Sequence, residues 1–397
     1  MTLSNGAIVS PEKSVRFGAY AIATFFVLAA PISVVGALGL AAFQGLAGLL
    51  GAPWRSFKTI SAPAWIFTGM LLTFAIWAAG SALWSQTPSN PQGLKLIAGV
   101  ALGLLFVAGA GKDAAARRLV RASTAGFAIV LVALLAAEAI GSMPVNRLVS
   151  PHEADLGIIM RNPSRGASVL MVVIWGVVAA LAGGRTHERL AWMFILLGAG
   201  FISLQFSMAA NTIAFGAGAL AYIAAFIAPR FSIVTAATGI AAWLVAAPFA
   251  IPFLLSLPQL QNGLPASWQI RANIWNYVIT QIAERPIIGW GLDESRHHSQ
   301  PAEAAGITFP QVPLHPHSAS LQIWYETGAI GALLAAAALV TGGVLLARAK
   351  LDRQISAGAC AAMVSCSVIS NVSYGAWQEW WIAALFTAAA TVTAARR

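Results

Sequence analysis

GAYAIATFFVLAAPISVVGALGLAAFQGLAGLLGA, residues 18–52, is one apolar run interrupted only by Pro31 and several glycines. A membrane-spanning helix needs about 20 mostly apolar residues, so the run is either one long broken helix or two spans. The choice fixes the side of the membrane on which every later segment lies. Lys13 and Arg16 precede the run, and Arg55 and Lys58 follow it. Basic residues collect on the cytoplasmic side of membrane proteins. A single helix would separate these two basic clusters across the bilayer, whereas two spans return them to the same side. Two spans are therefore expected, near 17–32 and 34–51.

Working outward, further apolar stretches of spanning length fall near 62–84, 94–111, 120–141, 165–183, 188–204, 209–228, 232–257, 317–347, 355–371 and 377–394. With both termini in the cytoplasm, sixteen of the 23 Lys and Arg residues lie inside and seven outside, as the charge rule requires. The expected fold is all-α: a polytopic membrane protein of about twelve transmembrane helices with a large external loop containing an amphipathic helix. Residues 1–257 carry the first nine helices, 258–316 form the large loop, and 317–397 carry the last three. The composition agrees, since the 397 residues are 58% hydrophobic and only 9% charged, against about 25% charged in a soluble domain. A soluble globular fold is excluded.

The net charge of +10 is spread over short connections, with no basic tail or basic stripe bearing aromatics. It reads as topology-setting charge and not as a nucleic-acid surface. Cys360 and Cys366 lie within one apolar run and read as small helix residues. Lys13, Arg16 and AYAIATFFVLAAP have the outline of a signal peptide, but no clear cleavage site is followed by a soluble domain, so a retained first helix is expected. No internal repeat with paired broken helices is visible, which weighs against an inverted-repeat transporter.

The seven outside cations are Lys95, Arg147, Arg161, Arg165, Arg271, Arg285 and Arg296. Six cluster in or beside two connections, 142–164 and 258–316. Charges that resist the topology rule in a long external loop mark a place to look for chemistry. Within the larger loop, WQIRANIWNYVITQIAER (268–285) has helical periodicity. Gln269, Asn273, Asn276, Thr280 and Glu284 share one face, and Trp268, Trp275, Val278 and Ile282 the other. Such a helix is expected at the membrane surface, with its tryptophans at headgroup depth. Arg271 falls on the apolar face. It either snorkels toward water or forms a fork that grips an anionic headgroup. Downstream, PIIGWGLDESRHH (286–298) makes a tight turn through Pro286, Gly289 and Gly291. Asp293, Glu294, His297 and His298 follow, but no third ligand has a motif spacing, so no metal is assigned.

PLHPHSASLQIWYETGAIG (313–331) closes the loop. His315 and His317 flank Pro316 just outside a wide apolar segment. Ser318, Gln322, Tyr325 and Glu326 form a polar stripe on its outer turns, and polar groups at that depth face a cavity or other helices. Gly328 and Gly331 read as points of close helix contact. A neutral imidazole above such a cavity suits a general base; on position alone, an interfacial histidine that only caps or hydrogen-bonds fits better.

RANIWNYVITQIAERPIIGWGLDESR (271–296) and HPHSASLQIWYETGAIGALL (315–334), in this order and in this layout, resemble the O-antigen ligase family, which also includes polymerases of surface polysaccharides. The resemblance implies an inverting glycosyl transfer that uses no nucleotide sugar, no metal and no other cofactor. The donor implied is a glycan on undecaprenyl pyrophosphate. The acceptor is a sugar hydroxyl of lipid A core for a ligase, or of a lipid-linked glycan for a polymerase. It also implies a multi-pass protein of the bacterial inner membrane, with cytoplasmic termini and a periplasmic site facing membrane lipid. The family's loop arginine matches Arg271. Its histidine matches His317, with His315 beside it. The sequence departs from the family at the eighth span, where many members carry Ser-Arg to bind pyrophosphate. Here FSMAANTIAFGAG has Asn211 and no arginine, and Arg165 or Arg161 is expected to supply that charge.

The expected chemistry follows from the leaving group. Pyrophosphate needs positive charge more than acid assistance as the glycosidic bond breaks, which suits Arg271. The acceptor hydroxyl must lose a proton, which suits His317. Trp268, Trp275, Gln322, Glu326 and Arg296 complete the expected substrate lining, with Glu326 as either an orienting or a capping carboxylate. Glu138 is a further buried carboxylate without a role. A polymerase using the same chemistry, a transporter, and a non-catalytic scaffold subunit are the alternative readings.

Overall fold

A computed structural model describes residues 11–54, 61–86, 91–258, 263–297 and 300–396. Arg55, Lys58, His298 and Arg397 lie outside the described residues. The chain is helical nearly throughout: α1 (Pro11–Val35), α2 (Leu40–Gly51), α3 (Ala62–Gly80), α4 (Gln92–Ala110), α5 (Ala114–Ile140), the short α6 (Pro144–Val149) and α7 (Leu156–Ile159), α8 (Arg161–Leu181), α9 (Thr186–Ser203), α10 (Ala209–Ile227), α11 (Pro229–Leu255), α12 (Ala266–Glu284), α13 (Ala319–Arg348), α14 (Arg353–Val372) and α15 (Glu379–Ala395). Among the described residues, nine helices are long and apolar enough to cross a membrane. All twelve expected spans fall on helices. Three are not among the nine: Ala37–Gly51 and Glu379–Ala395 are shorter, and α9 carries His187, Glu188 and Arg189 in its first turns. The break within 18–52 falls at Gly36, between α1 and a 3-10 turn leading into α2.

The bundle is built around α8, in which every residue from Gly166 to Leu181 is buried. A helix that is apolar on all sides can be enclosed on all sides. The enclosure depends on small residues: a Cβ on Gly176 would stand 2.3 Å from Thr391 Oγ1 of α15. Around α8, several buried polar groups are paired across helices, as an apolar interior favours. Trp175 Nε1 donates to Ser365 Oγ (2.8 Å), and Ser365 donates to the Ala214 carbonyl (2.9 Å), tying α8, α14 and α10 together. Glu138 also has a structural place: it accepts from Val145 N (2.6 Å) and Asn146 Nδ2 (2.7 Å), closing the first turn of α6.

Three features of the large loop and its flanking helix differ from expectation. The first is a hairpin, Pro301–Ala304 paired antiparallel with Ile307–Pro310. Its turn residues Ala305 and Gly306 both have positive φ (54° and 72°), the geometry that matches strand twist across a two-residue turn. Second, α12 turns most of its apolar face to protein. Its apolar face (Ile274, Trp275, Val278 and Ile282) is buried against Leu292, Val312, Leu321 and Tyr325, so protein packing uses the surface that would otherwise enter the headgroups.

Third, α13 is not continuous. Gly328 takes φ 65° and ψ −169° and breaks it, so this glycine does more than permit close contact. The loop segment 286–291 enters the gap. Trp290 N and Gly291 N donate to the Tyr325 and Glu326 carbonyls (2.8 and 2.9 Å), and Ala329 N donates to the Pro286 carbonyl (2.8 Å). Backbone groups freed by the break are thereby satisfied, which a membrane interior requires.

Candidate functional site

The two histidines sit where the loop becomes α13. Ser318 caps the helix by accepting from Leu321 N, and His317, just before it, has a left-handed φ of 57°. Trp275 Nε1 of α12 donates to the Pro316 carbonyl (2.9 Å), fixing the turn from the loop side. The rings of His315 and His317 meet edge-on with centroids 4.5 Å apart. His317 Nδ1 stands 2.8 Å from the Ser373 carbonyl. A carbonyl can only accept, so Nδ1 carries the proton and Nε2 keeps its lone pair. His317 N lies 3.2 Å from His315 Nδ1, which assigns His315 the opposite tautomer. Burial, then the neighbouring His317, Arg296 and Arg271, hold the His315 imidazole well below its ordinary value. His317 is pushed down to about 4 by burial and, in smaller part, by the Arg271 charge, against the opposing effect of the Ser373 bond. Both rings are neutral near pH 7.

Arg271 lies on α12 with its guanidinium over Trp268 (5.6 Å to the ring centroid) and Nη1 donating to the Ser267 carbonyl (3.0 Å). Trp268 and Trp275 meet edge-on at 6.3 Å. The Arg271 Nε is buried without a partner among the described residues, a donor left for something else to satisfy. Arg296 lies in a 3-10 turn (Glu294–His297) and pairs with Asp293 (Nε–Oδ1 2.7 Å). Glu294 accepts from Ser85 Oγ (2.8 Å) and Gln86 N (2.7 Å). The two acids thus serve different partners, and no α-helical face shared by Asp293 and His297 forms. Among the described residues, no group of three or more His, Cys, Asp or Glu converges on a metal position.

Glu326 is fully enclosed on α13. It accepts from Asp293 N (2.7 Å), Ser295 Oγ (2.5 Å), Trp377 Nε1 (2.6 Å) and Gln322 Nε2 (3.1 Å). The carboxylate therefore joins the large loop, α13 and the α14–α15 connection. Gln322 passes the link on, its Oε1 accepting from Ala376 N (2.8 Å). With their polar atoms so engaged and their surfaces covered, Gln322 and Glu326 hold the site from behind, and Trp275 likewise points into protein. Trp268, Arg271 and Arg296 remain partly exposed.

The connection 373–378, SYGAWQ, is absent from the sequence-derived site, yet it joins its two halves. Ser373 holds His317. A Cβ on Gly375 would stand 2.9 Å from His315 Cγ. Tyr374 packs edge-on against Trp380 (4.6 Å), and its hydroxyl lies 3.0 Å from Ser168 Oγ. Ser168 donates in turn to Asn211 Oδ1 (2.9 Å). Arg165, one turn before Ser168, lies over Trp380 (5.9 Å), and Arg161 is exposed at the start of α8. Arg165 thus lies one helical turn from Ser168, the partner of Asn211, and over the Trp380 ring that Tyr374 packs against. A cluster of aromatic and polar residues between two apolar helices, NVSYGAWQEWW, is the signal that marks this connection in the sequence.

The sequence profile described as O-antigen ligase matches residues 119–336, more than half of the chain. Three rickettsial proteins, each provisionally named a polysaccharide ligase, are similar. That of Rickettsia conorii is 28% identical over 228 residues, 55% of this chain and 54% of its own length. That of Rickettsia felis is 29% identical over 253 residues, covering 59% and 58%. That of Rickettsia bellii is 30% identical over 227 residues, covering 55% and 54%. The chain spans little more than half the length of each of these relatives. The profile match takes in Arg161, Arg165, Arg271, His315 and His317 and ends before Ser373 and Tyr374.

Proposed function

The chain belongs to the O-antigen ligase family, and from that premise we propose that it transfers a glycan from undecaprenyl pyrophosphate to a sugar hydroxyl of an acceptor such as lipid A core, at the periplasmic face of a bacterial inner membrane. The observation that carries this reading is His317. Its Nδ1 is held by the Ser373 carbonyl, its Nε2 lone pair is free, and the charge of Arg271 reaches it.

In the proposed reaction the acceptor oxygen attacks the anomeric carbon. The bond from that carbon to the pyrophosphate oxygen breaks, and the bonding pair leaves with the phosphate. His317 Nε2 takes the hydroxyl proton. Arg271, with a buried donor unpaired and a planar fork, stabilises the charge growing on the pyrophosphate, and Arg165 supplies the second cation from α8. Docking both lipid-linked substrates in one place adds proximity. Names of the matched relatives favour a ligase over a polymerase.

The test is a gel of envelope glycans from cells lacking this chain, complemented with wild type, His317→Ala or Arg271→Ala at matched membrane levels. The expected result for the empty strain and both variants is bare lipid A core, with polymer retained on the polyprenyl carrier. Lipid A core bearing a single repeat would mean a polymerase instead. Wild-type glycans from both variants would remove the assignment.

A further inference from the structure

At the end of the bundle opposite the histidines, three helix ends meet. α11 and α14 begin there, and α13 ends there, 30 residues after its start. They enclose a cavity of about 410 Å3 lined by Arg230, Phe231, Ile233, Leu346, Lys350 and Arg353, among others. No acid lines it. Asp352, next in sequence to Arg353, turns to its own helix and accepts from Ile355 N (2.8 Å). Among the described residues, none of the three cationic heads has an ion pair or a hydrogen bond.

A second observation is independent of these charges. Ser356 also lines the cavity, is 4% exposed, and its hydroxyl has no hydrogen-bond partner among the described residues. Its side chain is enclosed by protein, and the hydroxyl is left to donate to whatever occupies the cavity. The N-termini of α11 and α14 add the positive ends of two helix dipoles. The remaining walls are apolar, and Phe231 is 73% exposed at the rim. Cations, an unpaired donor and helix N-termini call for phosphate; apolar walls at the end of membrane helices call for acyl chains.

We propose that this cavity binds the headgroup of an anionic phospholipid, with phosphate between Arg230, Lys350, Arg353 and Ser356 and acyl chains along Phe231 and Leu346. Such a lipid would tie the α11 and α14 starts to the end of α13, the helix whose other end carries the histidines. Ordinary topology-setting charge would attract lipid diffusely. This site predicts one preferred lipid at one place.

The test uses the full chain purified in a neutral detergent, titrated with phosphatidylglycerol, phosphatidylethanolamine or inorganic phosphate, and read by native mass spectrometry and thermal unfolding. Wild type is expected to retain one phosphatidylglycerol in preference to phosphatidylethanolamine and to melt higher with it. The variant Arg230→Gln/Lys350→Gln/Arg353→Gln should lose about 100-fold in affinity. A charge-matched variant at the same end but outside the lining, Arg118→Gln/Arg185→Gln/Arg189→Gln, should bind as wild type does. Ala347→Trp keeps all three cations but fills the cavity, and should also lose the lipid, so the idea stays testable if the triple variant misfolds. Equal losses in the two triple variants, or full binding by Ala347→Trp, would reduce the site to surface charge. Displacement of the lipid by millimolar phosphate, with no preference for an acylated ligand, would make free phosphate the occupant and overturn the lipid reading.

Discussion

The charge on Arg271 reaches both histidines, and this gives the proposed base a dependence on substrate. Burial is the larger cause of the low His317 pKa, with Arg271 second. Protonation of Nε2 removes the base, so activity falls as pH drops through that pKa. A pKa lowered to about 4 moves the acidic limb of kcat/KM well below the ordinary imidazole range of about 6.5. Once an anionic pyrophosphate neutralises Arg271, part of the depression is relieved, so the acidic limb of kcat should lie at higher pH than that of kcat/KM. Arg271→Gln should move the kcat/KM limb upward in the same way while lowering the rate. Pre-steady-state pH profiles of both proteins check this, and coincident limbs unaffected by Arg271→Gln would refute it. His317→Ala should cost about 100- to 10,000-fold in kcat. These two candidates come from the sequence because each stands out against an apolar chain, one on the apolar face of an amphipathic helix and one beside a proline at a helix start. Ser373 is not legible, because what it contributes is a backbone carbonyl.

The break in α13 is the device that attaches the large loop to the membrane helices. A residue with a Cβ at position 328 would meet the Ile287 carbonyl at 2.2 Å in a left-handed backbone. Gly328→Ala is therefore expected to destabilise the loop docking by at least about 2 kcal/mol. Limited proteolysis within residues 286–310 should accelerate, and activity should fall although His317 and Arg271 are intact. Unchanged proteolysis would show that the docking does not rest on this glycine. Glu326 serves the same junction from the side-chain level. Glu326→Gln replaces an acceptor by a donor among four donors, at a cost of about 1–3 kcal/mol. It should loosen the α14–α15 connection together with the loop, seen as faster exchange of the Trp377 indole N–H and the Ser295 amide. The helices themselves are legible from apolar runs, since the period and length of such runs are set by the bilayer. The break, the hairpin and the burial of α12 are not, because each depends on which distant segment arrives to satisfy freed backbone or cover an apolar face.

At the scale of the whole chain, the fold places the loop, the two histidines and Arg271 at one end of the bundle, and the cavity lined by Arg230, Lys350 and Arg353 at the other. The same division appears in the sequence as charge asymmetry, with sixteen basic residues assigned to one side and seven to the other. Six of those seven lie in or beside two connections, and the longer of these carries Arg271 and leads into the two histidines. On the proposed function, site and orientation are one problem: a cation that binds pyrophosphate at the periplasmic face would have to stay on the side that the rule disfavours. The orientation can be tested directly. Cys360 and Cys366 lie within α14, Cys360 buried and Cys366 partly buried, and should give little background to a membrane-impermeant maleimide. Glu303→Cys, exposed on the hairpin, should label in intact spheroplasts. Arg118→Cys, exposed near the start of α5, should label only after the membrane is opened. The opposite pattern would invert the protein and put Arg271 and His317 on the cytoplasmic side, where a donor presented to the periplasm would not reach them.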